Sequence, residues 1–308
     1  MDKGKYLITG GTGFIGTRLT ARLTSLCGED CVVSHGRTYD LQDAECVGTL
    51  FGDLGQFDTI FHCADVQGNA NWSSEYCADQ FFDNTKIHLN VLNAWKQWQP
   101  QARLVAFSSL WAYPGDVSLA QENDYWNGRM HVPTEHYGLS KKIIGVGINS
   151  LKKQFGLQGT VLVLGSVYGP NDASFHVIPS IIQRMLQDPN RLEVWGNGTE
   201  TRDFIFIEDQ IEGIIANHHF NGELLNIGSG CVYTIREVVE SLAKHIGYSG
   251  EIVFNPEKSG GVKKRRISVE MANELHGWPS RFKLRSLDEG LRETVSWFLR
   301  ERQSDKLS

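Results

Sequence analysis

The sequence of 308 residues has no apolar stretch that approaches the length needed to cross a bilayer, about 18 residues. Its N-terminus also lacks the basic-then-apolar arrangement of a signal peptide. We therefore expect a cytoplasmic protein without a membrane partner. The hydrophobic share of 41%, the charged share of 21% and the absence of low-complexity tracts are typical of a globular protein.

An excess of positive charge is absent as well. Lys and Arg number 30 and Asp and Glu 36, so the net charge of -6 predicts no nucleic-acid partner. Any anion must then be held locally. The one dense basic run, residues 263–266 (Lys-Lys-Arg-Arg), is open to three interpretations: a solvated loop, a phosphate clamp or, least favoured, a nucleic-acid patch.

Paired cysteines are also missing. No Cys-x-x-Cys unit occurs, and no pair of histidines follows at a spacing suited to zinc. We therefore predict no metal site and interpret the six cysteines as reduced core thiols. They stand at positions 27, 31, 46, 63, 77 and 231.

A glycine-rich turn is the strongest positive signal. Gly10, Gly13 and Gly16 join an apolar run at 6–9 to a helical pattern at 14–26. Such a turn allows close backbone approach, and the N–H groups at the start of the helix can face a pyrophosphate. The position between a strand and a helix favours dinucleotide binding over an ordinary tight turn.

Strands and helices alternate through the first half of the chain. This alternation predicts an α/β fold with a doubly wound parallel Rossmann sheet, whose ligands collect at the carboxyl ends of the strands. Gly10, Ala64 and Ser109 stand at three such ends. The predicted strands are 31–34, 59–64, 104–109 and 161–164, and the predicted long helices are 79–98 and 137–155.

Tyr137 and Lys141 are spaced i and i+4, which places them on one face of a helix. A nearby Lys favours the tyrosinate and lowers the pKa of the phenol, so that Tyr137 can exchange a proton with a substrate hydroxyl or carbonyl. Chance makes one such pair unsurprising in a chain of this length. The pair gains weight from the glycine turn and from Ser108 and Ser109 at a strand end.

Together these features resemble the short-chain dehydrogenase/reductase family, in its extended branch that modifies nucleotide sugars. The resemblance implies that Ser109 hydrogen-bonds the reacting oxygen and that Tyr137 is the general acid or base. Lys141 would hold the nicotinamide ribose and lower the pKa of Tyr137. Further matching segments are 168–170 (Tyr-Gly-Pro), 203–209 (Asp-Phe-Ile-Phe-Ile-Glu-Asp), 226–228 (Asn-Ile-Gly) and 277–279 (Gly-Trp-Pro).

Within this branch the chain is most similar to the GDP-L-fucose synthases, which epimerise and then reduce a GDP-4-keto-6-deoxyhexose. Their His before Val-Ile-Pro falls on His176, which implies an acid for epimerisation; a hydrogen-bonded loop residue is the alternative. The segments that carry this likeness are 168–172 (Tyr-Gly-Pro-Asn-Asp), 176–179 (His-Val-Ile-Pro), 194–199 (Val-Trp-Gly-Asn-Gly-Thr) and 234–237 (Thr-Ile-Arg-Glu).

One departure concerns the residues after Ser109. Trp111 stands where that family carries its second epimerisation residue, a Cys, and an indole cannot remove a proton from carbon. We therefore expect a C4 ketoreductase with doubtful epimerase activity. Three alternatives stay open: a bifunctional 3,5-epimerase/4-reductase, a 4-epimerase of a nucleotide sugar, and a non-catalytic NADP(H)-binding regulator. Leu110 and Trp111 disfavour a 4,6-dehydratase, which needs Asp-Glu there.

The cofactor is predicted to be NADP(H) rather than NAD(H). The second strand ends without an acidic residue, and His35 and Arg37 can instead accept a 2′-phosphate, although Arg37 is also open to interpretation as a solvated residue. The resemblance adds Asp40 and Leu41 at the adenine. The predicted cofactor-binding residues are Gly10, Thr12, Gly13, Phe14, Ile15, Gly16, Arg37, Asp40, Leu41, Ala64, Asn84, Tyr137 and Lys141.

The substrate's diphosphate needs cations, and the likeness indicates Arg184, Arg202 and either Lys264 or Arg265. Trp195 and Phe204 are candidates for framing the base or sugar. A surface position for Arg184 and core positions for the aromatic residues are the alternatives. The predicted substrate-binding residues are Ser109, Trp111, His176, Arg184, Trp195, Arg202 and Arg265.

Two domains are predicted, because the regular alternation ends in a turn-rich segment after the strand at 161–164. Residues 1–165 form the NADP(H)-binding Rossmann domain, with returning segments near 203–228, including strands at 204–207 and 224–227. Residues 166–202 and 229–308 form a smaller C-terminal lobe that binds the sugar nucleotide. The two long helices offer a face for a homodimer.

Overall fold

The computed structural model describes residues 4–68, 70–172, 176–258 and 264–305. Within these ranges the strands are β1 (Tyr6–Thr9), β2 (Val32–His35), β3 (Thr59–His62), β4 (Arg103–Ser109), β5 (Leu119–Ala120), β6 (Gly159–Leu164), β7 (Ser166–Tyr168), β8 (Arg191–Trp195), β9 (Thr201–Arg202), β10 (Phe204–Phe206), β11 (Leu224–Ile227), β12 (Tyr233–Thr234), β13 (Glu251–Asn255) and β14 (Lys264–Ile267). The α-helices are α1 (Phe14–Cys27), α2 (Ala44–Asp53), α3 (Ala70–Glu75), α4 (Cys77–Trp98), α5 (Glu135–Phe155), α6 (Val177–Gln187), α7 (Ile207–Asn217), α8 (Ile235–Ile246), α9 (Glu270–His276) and α10 (Leu287–Asp305).

Six parallel strands form the central sheet in the order β11-β6-β4-β3-β1-β2. Successive residues of a strand point to opposite faces, and each face has its own apolar core. Leu7 packs with α2, α4 and α5, whereas Ile8 packs with α1 and α7. Helices therefore cover both faces, and the predicted doubly wound α/β fold is confirmed.

The two returning strands behave differently. β11 pairs with β6 at the edge of the central sheet, as predicted. The expectation that 204–207 returns to this sheet is wrong, because β10 pairs with β7 in a separate two-stranded sheet. The chain passes from one sheet to the other at Gly165. The Gly165 N–H donates to the Ile227 carbonyl of β11, while the Ser166 N–H donates to the Asp203 carbonyl. From this point β7 follows β10 away from the sheet.

A third apolar core lies among α6, α8 and α10, with strands β8 and β10. A small sheet of order β12-β9-β14-β5 connects this part to the first half of the chain, since β5 belongs to the first half. Its register places Arg265 of β14 beside Arg202 of β9. Two predicted substrate-binding arginines are therefore neighbours in the structure.

The six cysteines are all free, and none forms a disulfide. The prediction of core thiols is wrong for Cys77 and Cys231, which are exposed at the start of α4 and before β12. Of the helices in the described ranges, none has both the length and the apolar character that a membrane crossing demands.

Candidate active site

The glycine turn lies at the carboxyl end of β1, beside the end of β3. Gly10 has φ +70°, in the left-handed region, and a Cβ atom there would come within 2.6 Å of the Ala64 backbone nitrogen. Gly13 caps α1 without a side-chain hydrogen bond, and the first turn of the helix carries no acidic residue. The start of α1 thus has neither a side-chain cap nor an acidic residue in its first turn, which favours an anion such as a pyrophosphate there.

The end of β2 closes one side of this turn. The N–H of Gly11 donates to the His35 carbonyl over 2.8 Å, and Gly36 lies against Thr12. Arg37 is exposed, and His35 has a buried Nε2 atom without a hydrogen-bond partner. Burial lowers the pKa of His35. A neutral ring and an exposed guanidinium thus stand where the sequence predicts the adenosine ribose.

Asn84 holds the loop that follows β3. Its Oδ1 accepts from the Val66 N–H over 2.7 Å, and its Nδ2 donates to the Val66 carbonyl over 3.0 Å. The side chain is fully buried. Its contact with a cofactor stays a prediction, as do those of Leu41, which is buried, and Asp40, whose Oδ1 accepts from the Gln42 N–H.

Ser109, Tyr137 and Lys141 come together as the sequence predicts. Ser109 ends β4, and α5 carries the other two residues on one face. The helix comes close to the chain after Ser109 because it has glycine at 138, where a Cβ atom would lie 2.5 Å from the Trp111 carbonyl oxygen. The Ser109 hydroxyl hydrogen-bonds the phenol of Tyr137.

Asp65 occupies the centre of this group. Its Oδ2 lies 2.8 Å from the Lys141 Nζ, and both side chains are only 7% exposed. Gln67 donates from its Nε2 to the same Oδ2 over 3.0 Å and to the Tyr137 phenol over 2.7 Å. The ammonium of Lys141 is therefore held by a buried carboxylate next to the phenol.

Burial and this carboxylate together shift the pKa of Tyr137 in the direction opposite to the expected one. Burial, followed by the negative charge of Asp65, raises the pKa of the phenol well above its ordinary value. Hydrogen bonds from Gln67 and Ser109 act in the opposite direction without prevailing. The expectation that Lys141 lowers this pKa is wrong, since the charge of Lys141 is paired with Asp65.

A buried pair of histidines lies beside the Lys141 ammonium. Thr9 Oγ1 and His62 Nδ1 are 2.7 Å apart, and His62 Nε2 is 3.0 Å from His88 Nδ1. Burial, with the charge of Lys141 as a second cause, lowers the pKa of His62 to about 3 and that of His88 well below its ordinary value. Both rings are therefore neutral at physiological pH.

Trp111 lies between the guanidinium of Arg265 and the imidazole of His131. The guanidinium of Arg265 stacks 4.8 Å from its ring centroid, and the His131 ring is 5.8 Å away. Arg265 also donates to the carbonyl oxygens of Leu110, over 2.8 Å, and Pro114, over 3.3 Å. Its side chain thus fixes the segment after Ser109 as well as lining the site.

Two arginines, Arg202 and Arg265, bring positive charge to the side of the site next to Trp111. Arg265 is 2% exposed and Arg202 is 8% exposed, so both guanidinium groups are largely removed from water. Burial, followed by the charge of Arg202, lowers the pKa of Arg265 to about 10. Both remain cationic near neutral pH, and a bound anion would relieve their mutual repulsion.

The remaining predicted residues lie at the start of α6, on α6 and on β8. His176 Nδ1 is 3.2 Å from Asp172 Oδ2; burial lowers the His176 pKa, but Asp172 raises it by more, so the net shift is upward. Arg184 donates to the carbonyl oxygens of Ser180 and Glu193, which ties it to the backbone. Trp195 is 50% exposed, so the alternative of a core position is wrong for it, whereas Phe204 is 6% exposed and lies in the third apolar core.

A family model described as "NAD dependent epimerase/dehydratase family" matches residues 6–228, which include the glycine turn, Ser109, Tyr137 and Lys141. The chain belongs to this family. The resemblance predicted from the sequence is therefore confirmed at the level of the family.

Several relatives and solved structures similar to this chain have names that include a GDP-sugar. It is 27% identical to GDP-L-fucose synthase of Escherichia coli (strain K12) over 320 residues, 97% of this chain and 98% of that protein. It is 26% identical to GDP-L-colitose synthase of Yersinia pseudotuberculosis over 317 residues, 98% and 100% of the two chains. A solved structure of a GDP-mannoheptose C4 reductase from Campylobacter jejuni, with NADP bound, shares the fold with a TM-score of 0.84, at 22% identity, over 97% of this chain and 99% of that one.

Three residues of this site, Asp65, Gln67 and His131, were not predicted from the sequence. Asp65 directly follows Ala64, a position already predicted to lie at the ligand-binding edge of the sheet. An acidic residue at the end of a buried strand was the signal that could have found it. Gln67 and His131 stand in loops without a local pattern that would distinguish them.

Proposed function

We propose that the protein is an NADPH-dependent C4 ketoreductase that acts on a 4-keto-6-deoxy sugar linked to a nucleoside diphosphate, with GDP as the nucleotide. The observation that carries the proposal is the convergence of Ser109, protonated Tyr137 and Lys141 beside the glycine turn. A phenol that keeps its proton suits donation to a carbonyl oxygen. The GDP-sugar relatives supply the substrate class.

NADP(H) is the cofactor that the residues fit. The turn at Gly10 leaves no room for a side chain, and the first turn of α1 offers N–H groups without a competing carboxylate. No acidic residue ends β2, where His35 and Arg37 stand instead. The related GDP-mannoheptose C4 reductase was solved with NADP bound.

The chain's own groups supply the proton and the orientation. When bound, the reduced cofactor supplies the hydride that converts the C4 carbonyl into an alcohol. Ser109 orients the C4 oxygen by a hydrogen bond, and Tyr137 gives its phenolic proton to that oxygen as negative charge develops on it. Lys141, held by Asp65, places a positive charge next to the resulting tyrosinate.

The sugar nucleotide is held by the second lobe, residues 166–202 and 229–308, against the Rossmann domain of residues 1–165. Arg202 and Arg265 supply two buried positive charges for the diphosphate. Trp111 borders the sugar, and exposed Trp195 offers a flat face to the base. Arg184 donates to two backbone carbonyl oxygens, as Arg265 does, so its contact with the diphosphate stays a prediction.

The second candidate is the bifunctional 3,5-epimerase/4-reductase. One observation favours it: the His176 imidazole is paired with Asp172, which raises its pKa and suits an acid. Trp111 weighs against it, since the indole lies between Arg265 and His131 and brings no base to the sugar. A 4-epimerase is supported only by likeness to two solved UDP-glucose 4-epimerases, at 24% and 25% identity and TM-scores of 0.82 and 0.81. A non-catalytic regulator has no observation in its favour among the described residues.

The experiment is incubation with GDP-, dTDP-, UDP- and CDP-linked 4-keto-6-deoxy sugars and NADPH in deuterated water, followed by proton NMR of the products. We expect reduction at C4 with the GDP-sugar and no deuterium at C3 or C5. Deuterium at both positions would establish the bifunctional enzyme instead. No NADPH oxidation with any of the sugars would overturn the reductase.

Arg37 gives a separate test of the cofactor. Arg37→Ser is expected to lower kcat/KM for NADPH by about tenfold, because one charge-assisted contact with the 2′-phosphate is lost. The value for NADH should hardly change. Steady-state kinetics with both cofactors measure the ratio, with Arg191→Ser, an exposed arginine of β8, as the control. A wild type that prefers NADH would contradict the assignment.

A homodimer through α4 and α5 is part of the proposal. These helices pack side by side and expose Phe82, Leu89, Leu139 and Val146, by 42–59% of their surfaces. Within each helix the two residues are seven positions apart, so they share one face. Such an apolar surface is typical of an interface between copies of a chain.

Light scattering after size-exclusion chromatography should therefore give the mass of two chains. The double variant Leu89→Glu, Val146→Glu is expected to elute as a monomer, because it buries four carboxylates in the dimer. Leu275→Glu, an equally exposed leucine on α9, is the matched control and should stay dimeric. A wild type with the mass of one chain would refute the dimer.

A further inference from the structure

The carboxylate of Asp65 has one oxygen that the contacts of the site leave unused. Oδ2 accepts from Lys141 and Gln67, and the carboxylate also hydrogen-bonds the Tyr137 phenol, whereas Oδ1 is buried and has no hydrogen-bond partner of its own among the described residues. Native proteins rarely leave a buried polar atom unpaired, and a carboxylate oxygen is among the costliest. This oxygen therefore has room for a donor that the described residues do not supply.

The position of Asp65 limits what that donor can be. Its neighbour Ala64 touches Gly10 of the turn that faces the pyrophosphate, and its own carboxylate meets Lys141 and Gln67 beside Tyr137. A hydride donor bound at the turn must extend toward Tyr137 to reach a carbonyl that Tyr137 protonates. Asp65 lies along that path, at the nicotinamide half of the dinucleotide.

The hydroxyl groups of the nicotinamide ribose are the donors that this half carries nearest to its pyrophosphate. A hydroxyl donated to a carboxylate makes a charge-assisted hydrogen bond, stronger than a neutral one. Lys141, which would otherwise be the cation nearest to such a ribose, is already paired with Oδ2. The carboxylate and the ammonium therefore present one acceptor and one donor side by side.

We propose that Asp65 is a cofactor-binding residue of this chain: its Oδ1 accepts a hydrogen bond from a ribose hydroxyl of the nicotinamide half of NADP(H), while its Oδ2 anchors Lys141. The inference rests on the proposed use of NADP(H) and adds a residue to that site. It also explains why the site tolerates a buried negative charge next to its proton donor.

The charges around the phenol agree with this assignment. Asp65 contributes one negative charge and Lys141 one positive charge, and the flanking His62 and His88 are neutral. Ser109 and Gln67 contribute only hydrogen bonds, and burial raises the pKa of the Cys63 thiol. With Asp65 present the two charges sum to zero, so the phenol keeps its proton before the reaction while the Lys141 ammonium stays next to it.

The test compares two ligands by isothermal titration calorimetry. NADPH carries the nicotinamide ribose, and 2′,5′-ADP carries only the adenosine half. Asp65→Asn and Asp65→Ala are expected to bind NADPH at least about tenfold more weakly than the wild type. The reason is that each variant loses one hydrogen bond to a charged group. Their affinity for 2′,5′-ADP should stay within about twofold, which also reports an intact fold.

Asp288→Asn, a carboxylate that pairs with His245 far from the turn, is the matched control and should bind both ligands as the wild type does. NADPH affinity that is unchanged in both Asp65 variants would overturn the inference, as would an equal loss for both ligands. A wild type that binds neither ligand would instead refute the cofactor assignment itself. The two failures are thus distinguishable.

Discussion

Tyr137→Phe is expected to lower kcat for reduction of the keto sugar by about 10²–10⁴-fold, the usual contribution of a positioned general acid. The phenol has a proton to give and hydrogen-bonds Ser109. Its raised pKa means that it stays protonated through neutral pH, so the whole enzyme population can donate. Removing the hydroxyl leaves the developing alkoxide without this proton.

Two measurements accompany the rate. Affinity for NADPH, by calorimetry, should change little, because the phenylalanine keeps the ring and the helix that carries Lys141. Tyr76→Phe removes a phenol at the exposed start of α4 and should turn over like the wild type. A Tyr137→Phe enzyme with unchanged kcat would remove Tyr137 from the proposed mechanism.

The site residues that could be predicted from the sequence are those that lie close to one another in the chain. Gly10, Gly13 and Gly16 are close in the chain, and so are Tyr137 and Lys141, so their geometry follows from one turn and one helix. The alternation of strands and helices then fixed the edge of the sheet at which they meet. These predictions needed no knowledge of distant contacts.

The wrong predictions concern residues whose partners are distant in the chain. The raised pKa of Tyr137 comes first from burial and then from the charge of Asp65. Both causes depend on β3 and β4 being neighbours and on α5 packing beside the end of β4. Likewise, the strand at 204–207 has the apolar composition of a central strand, but the chain leaves the sheet at Gly165 and pairs it with β7. Partners distant in the chain decided both outcomes.

Lys141→Met is expected to lower the free energy of unfolding by about 3–5 kcal/mol, the usual cost of leaving one member of a buried ion pair without its partner. Lys141 and Asp65 are each only 7% exposed, so water does little to solvate the carboxylate that remains. Urea unfolding followed by circular dichroism measures the change. Lys142→Met is the matched control: its ammonium lies over Tyr125 and Trp126, and its removal leaves no carboxylate behind.

A second substitution separates the lost charge pair from lost packing. In the double variant Lys141→Met, Asp65→Leu both charges are replaced by apolar side chains, so no buried ion is left uncompensated. We expect this variant to regain most of the stability lost by Lys141→Met, although the catalytic ammonium is absent from both. Equal losses in the single and double variants would contradict this account, because the cost would then come from the packing of the Lys141 stem and not from the stranded carboxylate of Asp65.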